Sequence, residues 1–257
     1  MTESVYTQAR IAQDLSNCGI AAGDAVLVHS SFKSVGKMEG GAEGFIAALS
    51  ECVGPDGTLI FPTFNFGFCG GELFDVRTTP SHMGILSETV RLDPGSTRVA
   101  HPIYSFAVVG RHANEAGAIR NISAYGADSL FGKLVEWDGK IAIIGLPYNS
   151  SMTFFHHVEE MLGCGYRYMK AFEGTVVDER GRSATRTVTM FVRDVNAGIV
   201  TEVEPMGAIL EREGVVTLSR VGSADVKVMR ARDAFEVTAR HFSDEPGLLY
   251  RIDFAAA

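Results

Sequence analysis

An α/β fold is the class this sequence predicts: a largely parallel central sheet covered by helices, with an antiparallel C-terminal addition. Three observations carry it. As far as Leu162, short apolar runs such as Ile141 to Leu146 alternate with segments whose apolar residues recur every three or four positions. Turn signals such as Gly54-Pro55-Asp56-Gly57 and Asp138-Gly139 punctuate them. Past Tyr166, two β-favouring runs flank Arg180-Gly181-Arg182, which reads as an antiparallel hairpin. There is no internal repeat, low-complexity tract or linker, so residues 1–257 are expected to form a single domain.

Taken in order, Ile11, Leu15 and Cys18 mark an amphipathic helix over Ser4 to Cys18. Ala25 to Val28 is a short strand opening into the polar turn His29 to Gly36. A helix is expected from Ala42 to Val53 and a strand from Thr58 to Phe61. Phe64 to Thr79, rich in Phe and Gly and without periodicity, is expected to be a long functional loop. Pro80 then suits the first turn of a helix reaching Leu92, with Thr79 as its cap. Ser105 to Val109 is a strand, Ser129 to Glu136 a helix, Lys140 to Gly145 a strand and Ser151 to Leu162 a helix. Gly174 to Asp178 and Ala184 to Val192 form the hairpin. A helix near Glu202 to Glu213, two short strands and a helix over Ala231 to Phe242 complete the chain.

Composition excludes several functions. Apolar residues at 46% and charged residues at 21% fit a packed globule rather than a disordered chain. No run approaches the roughly 18 apolar residues of a membrane span. The N-terminus MTESVYTQAR lacks the features of a secretory signal. Cys18, Cys52, Cys69 and Cys164 are widely spaced with no C-x-x-C pair, which disfavours zinc and disulfides and fits a reducing cytoplasm. A net charge of -8 disfavours nucleic acid.

In α/β sheets, ligands collect beyond the carboxyl ends of strands. Three segments bring polar groups there: His29-Ser30-Ser31, His101-Pro102 with Ser105, and Asn149-Ser150-Ser151 leading to His156. His156 and Glu159, three apart on a helix, share one face. A metalloprotease site does not fit, because His-Glu-x-x-His is absent and Glu160 stands where His-x-x-Glu-His needs histidine. No Gly-x-Ser-x-Gly elbow marks a serine hydrolase.

An ordered series of motifs resembles the aminoglycoside 3-N-acetyltransferase family. It runs Val28-His29-Ser30-Ser31-Phe32-Lys33-Ser34-Val35-Gly36, Glu39-Gly40-Gly41, Gly54-Pro55-Asp56-Gly57, Pro62-Thr63-Phe64, Phe74-Asp75, Thr78-Thr79-Pro80-Ser81-His82-Met83-Gly84, His101-Pro102-Ile103-Tyr104-Ser105 and Thr153-Phe154-Phe155-His156-His157-Val158-Glu159. The resemblance implies an acyltransferase that uses acetyl-CoA or another short acyl-CoA and no metal, on a fold separate from the general N-acetyltransferase (GNAT) fold. The GNAT pyrophosphate-loop signature is absent here. It further implies cofactor contacts from Ser30, Ser31, Phe32, Lys33, Ser34, Val35, Thr79, Ser81, Met83 and Ser105. In isolation these hydroxyls would be turn and cap residues. His156 is implied as the base, with Glu159 as its acidic partner and a substrate contact, and backbone N–H groups near Ser31 or Phe32 would serve the oxyanion.

Two stretches depart from the antibiotic-modifying members. Phe191-Val192-Arg193-Asp194 places arginine where those members carry a supporting carboxylate, so Asp194 is expected to substitute, pairing with His156. Tyr166-Arg167-Tyr168 and this stretch are similar to relatives that acylate nucleotide-linked amino sugars. The substrate contacts expected are Glu159, Arg167, Arg193, Phe64 and Asp75, with Arg167, Lys170 and Arg193 favouring a diphosphate over a polycation. The reaction expected is direct transfer to a nucleotide-linked amino sugar. Aminoglycoside 3-N-acetylation and a non-catalytic CoA-binding protein stay as alternatives, as does an acyl-enzyme on Cys69 or Cys164. The partners are a small amine and the acyl-CoA, with no nucleic acid or membrane, and a homodimer is compatible.

Overall fold

The structure is a computed structural model that describes residues 5–253, so Ser4 of the first expected helix lies outside the described residues. The chain opens with α1 (Gln8–Asn17), capped by Thr7, whose hydroxyl accepts from Arg10 N. It continues through β1 (Ala25–Ser30), the short α2 (Phe32–Val35), α3 (Gly41–Val53), β2 (Thr58–Pro62), β3 (Phe74–Asp75) and α4 (Ile85–Leu92). Next come β4 (Thr97–Val99), β5 (Phe106–Gly110), α5 (Ala113–Gly117), α6 (Leu130–Glu136), β6 (Lys140–Ile144) and α7 (Phe154–Leu162). The remainder is β7 (Arg167–Val177), β8 (Ser183–Arg193), β9 (Ile199–Thr201), α8 (Glu204–Arg212), β10 (Thr217–Val221), β11 (Ala224–Arg230), α9 (Ala231–Asp244) and β12 (Tyr250–Ile252).

The main sheet has the order β10-β11-β6-β1-β2-β5-β4. Its centre, β6-β1-β2, is parallel, and β10 and β4 run the same way as these three. The C-terminal addition is the antiparallel β10–β11 pair, with β11 antiparallel to β6. One departure from the expected sheet is β5, which lies antiparallel between β2 and β4. The chain passes from β2 through α4 to the sheet edge at β4, then reverses through Ala100 to Ser105 to fill the gap. The hairpin β7–β8 is longer than expected and joins β3 in a separate three-stranded sheet.

Period-two alternation along β1 sends its side chains into two apolar layers. Val26 and Val28 pack with α1, α3 and α4 through Ile11, Leu15, Phe45, Leu86 and Val90. Leu27 faces the opposite layer, with Ile143, Phe131, Phe154, Val158 and Met206 from β6, α6, α7 and α8. Helix α7 therefore belongs to the second layer. It follows the carboxyl end of β6, beside the end of β1, where Ser31 N donates to Ile144 O at 2.9 Å.

The expected helix at Pro80 starts five residues later, at Ile85. Gly84 precedes it at φ 98°, ψ 177°, a conformation that L side chains rarely adopt. Glu88 reaches back to accept from Ser81 N at 2.8 Å, and Ser81 Oγ accepts from Met83 N. Thr79 is not the cap. Its hydroxyl accepts from Asp75 N at 2.8 Å and closes the preceding turn. No helix among the described residues is long and apolar enough to cross a membrane.

Candidate active site

Helix α7 carries Phe154, Phe155 and Val158 into the core, which turns the face bearing His156 and Glu159 toward β7. The helix ends at Gly163, which adopts the left-handed φ 65°, ψ 44°; its N–H caps the carbonyls of Glu159 and Glu160. That reversal brings the next residues back along the helix. Tyr166 Oη donates to Glu159 Oε1 at 2.6 Å, and Arg167 Nε lies 2.9 Å from Glu159 Oε2. This second contact is an ion pair whose N–H is not aligned for a hydrogen bond. Tyr166 is itself wedged against Phe242 of α9 and Tyr250 of β12.

His156 Nδ1 lies 2.7 Å from Glu159 Oε2. A carboxylate only accepts, so this bond requires the proton on Nδ1 and leaves Nε2 with its lone pair free. Arg167 Nη2, which can only donate, is 3.0 Å from the same Nδ1; with Nδ1 protonated this is a cation contact that opposes a positive ring, not a hydrogen bond. The Glu159 side chain is fully buried, whereas that of His156 is 17% exposed and open to a reactant. Burial, then the Arg167 charge, pushes the imidazole below its usual pKa, against the pull of Glu159. Burial raises Glu159, but the His156 hydrogen bond and the charges of His156 and Arg167 carry it below the carboxylate range.

An aromatic ladder leads away from the imidazole. Tyr125 lies 5.3 Å from His156 between ring centres, Tyr104 4.8 Å from Tyr125, and both Phe64 and Phe66 pack on Tyr104. His157, on the other side of α7, is bound to Tyr125 O at 2.6 Å and anchors this ladder. Phe66 is also on the rim of a cavity of about 380 Å³ that includes Cys69, Tyr168, Lys170 and Arg193.

Several expected residues serve other tasks. Asp194 does not reach His156 as expected: it caps a short turn, accepting from Asn196 N and Ala197 N, and Glu159 is the carboxylate on Nδ1. Phe64 is buried against Tyr104 and Phe106 and offers no open surface to a substrate. Asp75 is buried and held by Arg77 through both carboxylate oxygens. Arg167 is consumed by the Glu159 pair and by Phe191 O rather than presented to a ligand. Arg193, its cross-strand partner, is exposed.

The cofactor candidates divide in the same way. Ser30, Ser31 and Lys33 stand at the open carboxyl end of β1, Lys33 exposed and the two serines half-buried. Ser34 donates to Ser31 O at 2.6 Å, Phe32 packs edge-on against Phe45, and Val35 is wholly buried. Val35 is thus a core side chain that leaves only its backbone to a ligand, whereas Phe32 is half-buried and packs on the edge of the core. Because Ser31 N donates to Ile144 O, Phe32 N is the remaining member of the expected oxyanion pair. Ser105 is wholly buried; its hydroxyl meets Thr63 Oγ1, Thr63 O and the Arg98 guanidinium.

Arg98 escapes sequence reading. It is buried on β4, donates to Val76 O, Thr79 O and Ser105 Oγ, and lies over the Phe74 ring, tying the segment around Thr79 to β4 and to the residue before β5. Burial lowers its pKa to about 10. His101 is also structural, with Nδ1 accepting from Ile103 N and Tyr104 N. Burial lowers its pKa to about 4. Among the described residues, no group of three or more His, Cys, Asp or Glu side chains is placed to hold a metal.

The sequence profile of the family described as aminoglycoside 3-N-acetyltransferase matches residues 27–243. Aminoglycoside N(3)-acetyltransferase VII of Streptomyces paromomycinus is 29% identical over 264 residues, covering 91% of each chain. Aminoglycoside N(3)-acetyltransferase III of a Salmonella species is 29% identical over 204 residues, covering 72% of this chain and 71% of its own. Among solved structures, aminoglycoside acetyltransferase AAC(3)-Xa superposes with a TM-score of 0.83 at 26% identity over 94% of each chain. AAC(3)-IIb gives 0.82 at 25% identity, over 94% of this chain and 98% of its own. The match spans both the layer carrying His156 and the turn after β1, and the chain belongs to the aminoglycoside 3-N-acetyltransferase family, as an enzyme of the N-acyltransferase class.

Proposed function

We propose that this chain is an acetyl-CoA-dependent aminoglycoside 3-N-acetyltransferase that uses His156 as its base. The observation that carries the proposal is the 2.7 Å bond from His156 Nδ1 to buried Glu159, which holds the ring and leaves Nε2 as a proton acceptor. The acceptor's ammonium gives a proton to Nε2, directly or through one water. The freed nitrogen attacks the thioester carbonyl, and the C–S bond breaks as the tetrahedral intermediate collapses. The nitrogen's second proton passes to solvent, and the imidazolium returns its proton to the departing CoA thiolate, so the amide and the CoA thiol are released and His156 is neutral again. Ser30, Ser31 and Lys33 at the end of β1 are the side chains offered to the cosubstrate, with Phe32 N for the oxyanion.

Direct transfer is favoured over an acyl-enzyme. Burial pushes Cys69 above its usual thiol range and Cys164 up to about 11, so neither is poised as a thiolate. The proposal treats the chain as one domain, consistent with a family match over residues 27–243.

The named relatives favour an aminoglycoside acceptor over the nucleotide-linked amino sugar expected from sequence. The case for a diphosphate also loses Arg167, which is neutralised by Glu159. One observation keeps the nucleotide-linked sugar as a second reading: Lys170 and Arg193 both line the cavity beside Phe66. CoA release from acetyl-CoA, measured with kanamycin-type aminoglycosides and with UDP- or TDP-linked amino sugars, separates the two. Turnover of aminoglycosides is expected; turnover confined to nucleotide-linked sugars overturns the acceptor assignment.

A further inference from the structure

We infer that Arg167 is a positioning residue of the transfer reaction: its guanidinium, set against Glu159 Oε2 and His156 Nδ1, keeps the base a neutral imidazole with Nε2 free. This role rests on His156 being the base. Arg167 is a buried cation, 5% exposed at its side chain, with Nε at 2.9 Å from Glu159 and Nη2 at 3.0 Å from His156. A hydrogen bond from Nη1 to Phe191 O at 3.1 Å fixes it to β8.

The chemistry of the pair gives the cation its purpose. A buried carboxylate beside an imidazole orients the ring, but it also stabilises the imidazolium. A base already protonated at neutral pH cannot accept the proton of an ammonium. Arg167 cancels the Glu159 charge at the point of contact, so orientation is retained while the pull toward the charged ring is removed. Tyr166 complements this by donating to the other carboxylate oxygen, Oε1, leaving Oε2 for His156 and Arg167. The groups facing His156 are Glu159 on its own helix, Tyr125 in the loop before α6, Arg167 at the start of β7, and the charge of Arg193 at the end of β8, while Tyr166 reaches it only through Glu159. Among these, Glu159 alone favours the imidazolium, while Arg167 and Arg193 oppose it.

A mere strut between α7 and β8 would lower activity evenly across pH. A charge partner shifts a titration. The test is the pKa of His156, read from the NMR shifts of its labelled imidazole, together with the pH profile of kcat/KM, in the wild type, Arg167→Met and Arg167→Lys. Arg167→Met is expected to raise the imidazole pKa by about one unit or more, a tenfold tighter proton. The acid limb of kcat/KM moves up with it, so the loss approaches tenfold on that limb, shrinks as the pH rises and is recovered by about pH 9. Arg167→Lys, which keeps the charge, is expected to leave the titration within about 0.5 unit of wild type. An unmoved titration, or a loss equal at every pH, overturns the role.

If Arg167→Met does not fold, the comparison is made between Glu159→Gln and Glu159→Gln/Arg167→Met, where no lone buried charge is left by the second change. There the same upward shift supports the role and its absence rejects it. The titration needs no turnover. Undiminished activity in His156→Ala would therefore remove the base while leaving the Arg167 effect to be judged alone.

Discussion

Glu159 Oε2 sits 2.7 Å from His156 Nδ1 and 2.9 Å from Arg167 Nε, so one buried carboxylate oxygen joins the imidazole to a guanidinium from the following strand. The helix supplies the first contact through its three-residue spacing. The second requires the chain to reverse at Gly163. Orientation of the ring and suppression of its positive form are thereby assigned to different residues.

Glu159→Gln removes the acceptor charge but keeps the shape. It is expected to lower kcat/KM by about 10²-fold or more, by weakening the hold on the reactive tautomer. It also leaves Arg167 buried without its counter-charge, so urea denaturation is expected to show a loss of about 3 kcal/mol. Full activity in this variant would contradict the part given to the carboxylate.

Acid should destabilise the fold well before carboxylates alone would. Burial lowers His29 and His101 to about 4, while in the unfolded chain each titrates at about 6.5. Between these values the unfolded state binds more protons, so stability rises with pH across that window. Each group costs about 3 kcal/mol once the pH has fallen below 4. His156 and His157, also lowered chiefly by burial, act in the same direction. Urea midpoints are expected to fall steeply between pH 7 and pH 4.5; a flat profile contradicts neutral burial of these rings.

Arg98→Met should disorder the support of Thr79 more than it disturbs the base. Four acceptors, Val76 O, Thr79 O, Thr63 O and Ser105 Oγ, lose a donor. A loss of about 3 kcal/mol is expected by denaturation. Faster amide hydrogen exchange should be concentrated at residues 76–83. Exchange unchanged there would show that the guanidinium does not hold this segment.

The double replacement of Cys69 and Cys164 by Ser is expected to keep kcat within about threefold of wild type, because direct transfer needs no thiolate. Loss of turnover together with disappearance of a burst of CoA release would instead favour an acyl-enzyme.

Much of this site was legible because its first link is local. His156 and Glu159 share a helix face by spacing alone, and the turn after β1 was marked by its run of hydroxyls. The sequence shows Arg167 as a cation but not its burial: charged residues are mostly exposed, and its strand neighbours Tyr168, Met169 and Lys170 are indeed so. Only the left-handed turn at Gly163 folds it onto the helix. Asp194 does not reach His156 because a short aspartate satisfies its own turn first.

In the scaffold, alternation of strand and helix correctly indicated the parallel centre β6-β1-β2. It could not reveal β5 inserting antiparallel between β2 and β4, since β4 has only three residues and gives no periodic signal. The late start of α4 has a local cause. Gly84 and the back-bond from Glu88 to Ser81 outweigh the preference of Pro80 for a first helical turn.

The most direct test of the central claim is His156→Ala, assayed for CoA release with acetyl-CoA and an aminoglycoside and, separately, for CoA affinity by calorimetry. The predicted result is a fall in kcat/KM of about 10³-fold or more with CoA affinity within about threefold of wild type. Turnover close to that of the wild type, with Nε2 gone, would contradict the assignment of His156 as the base.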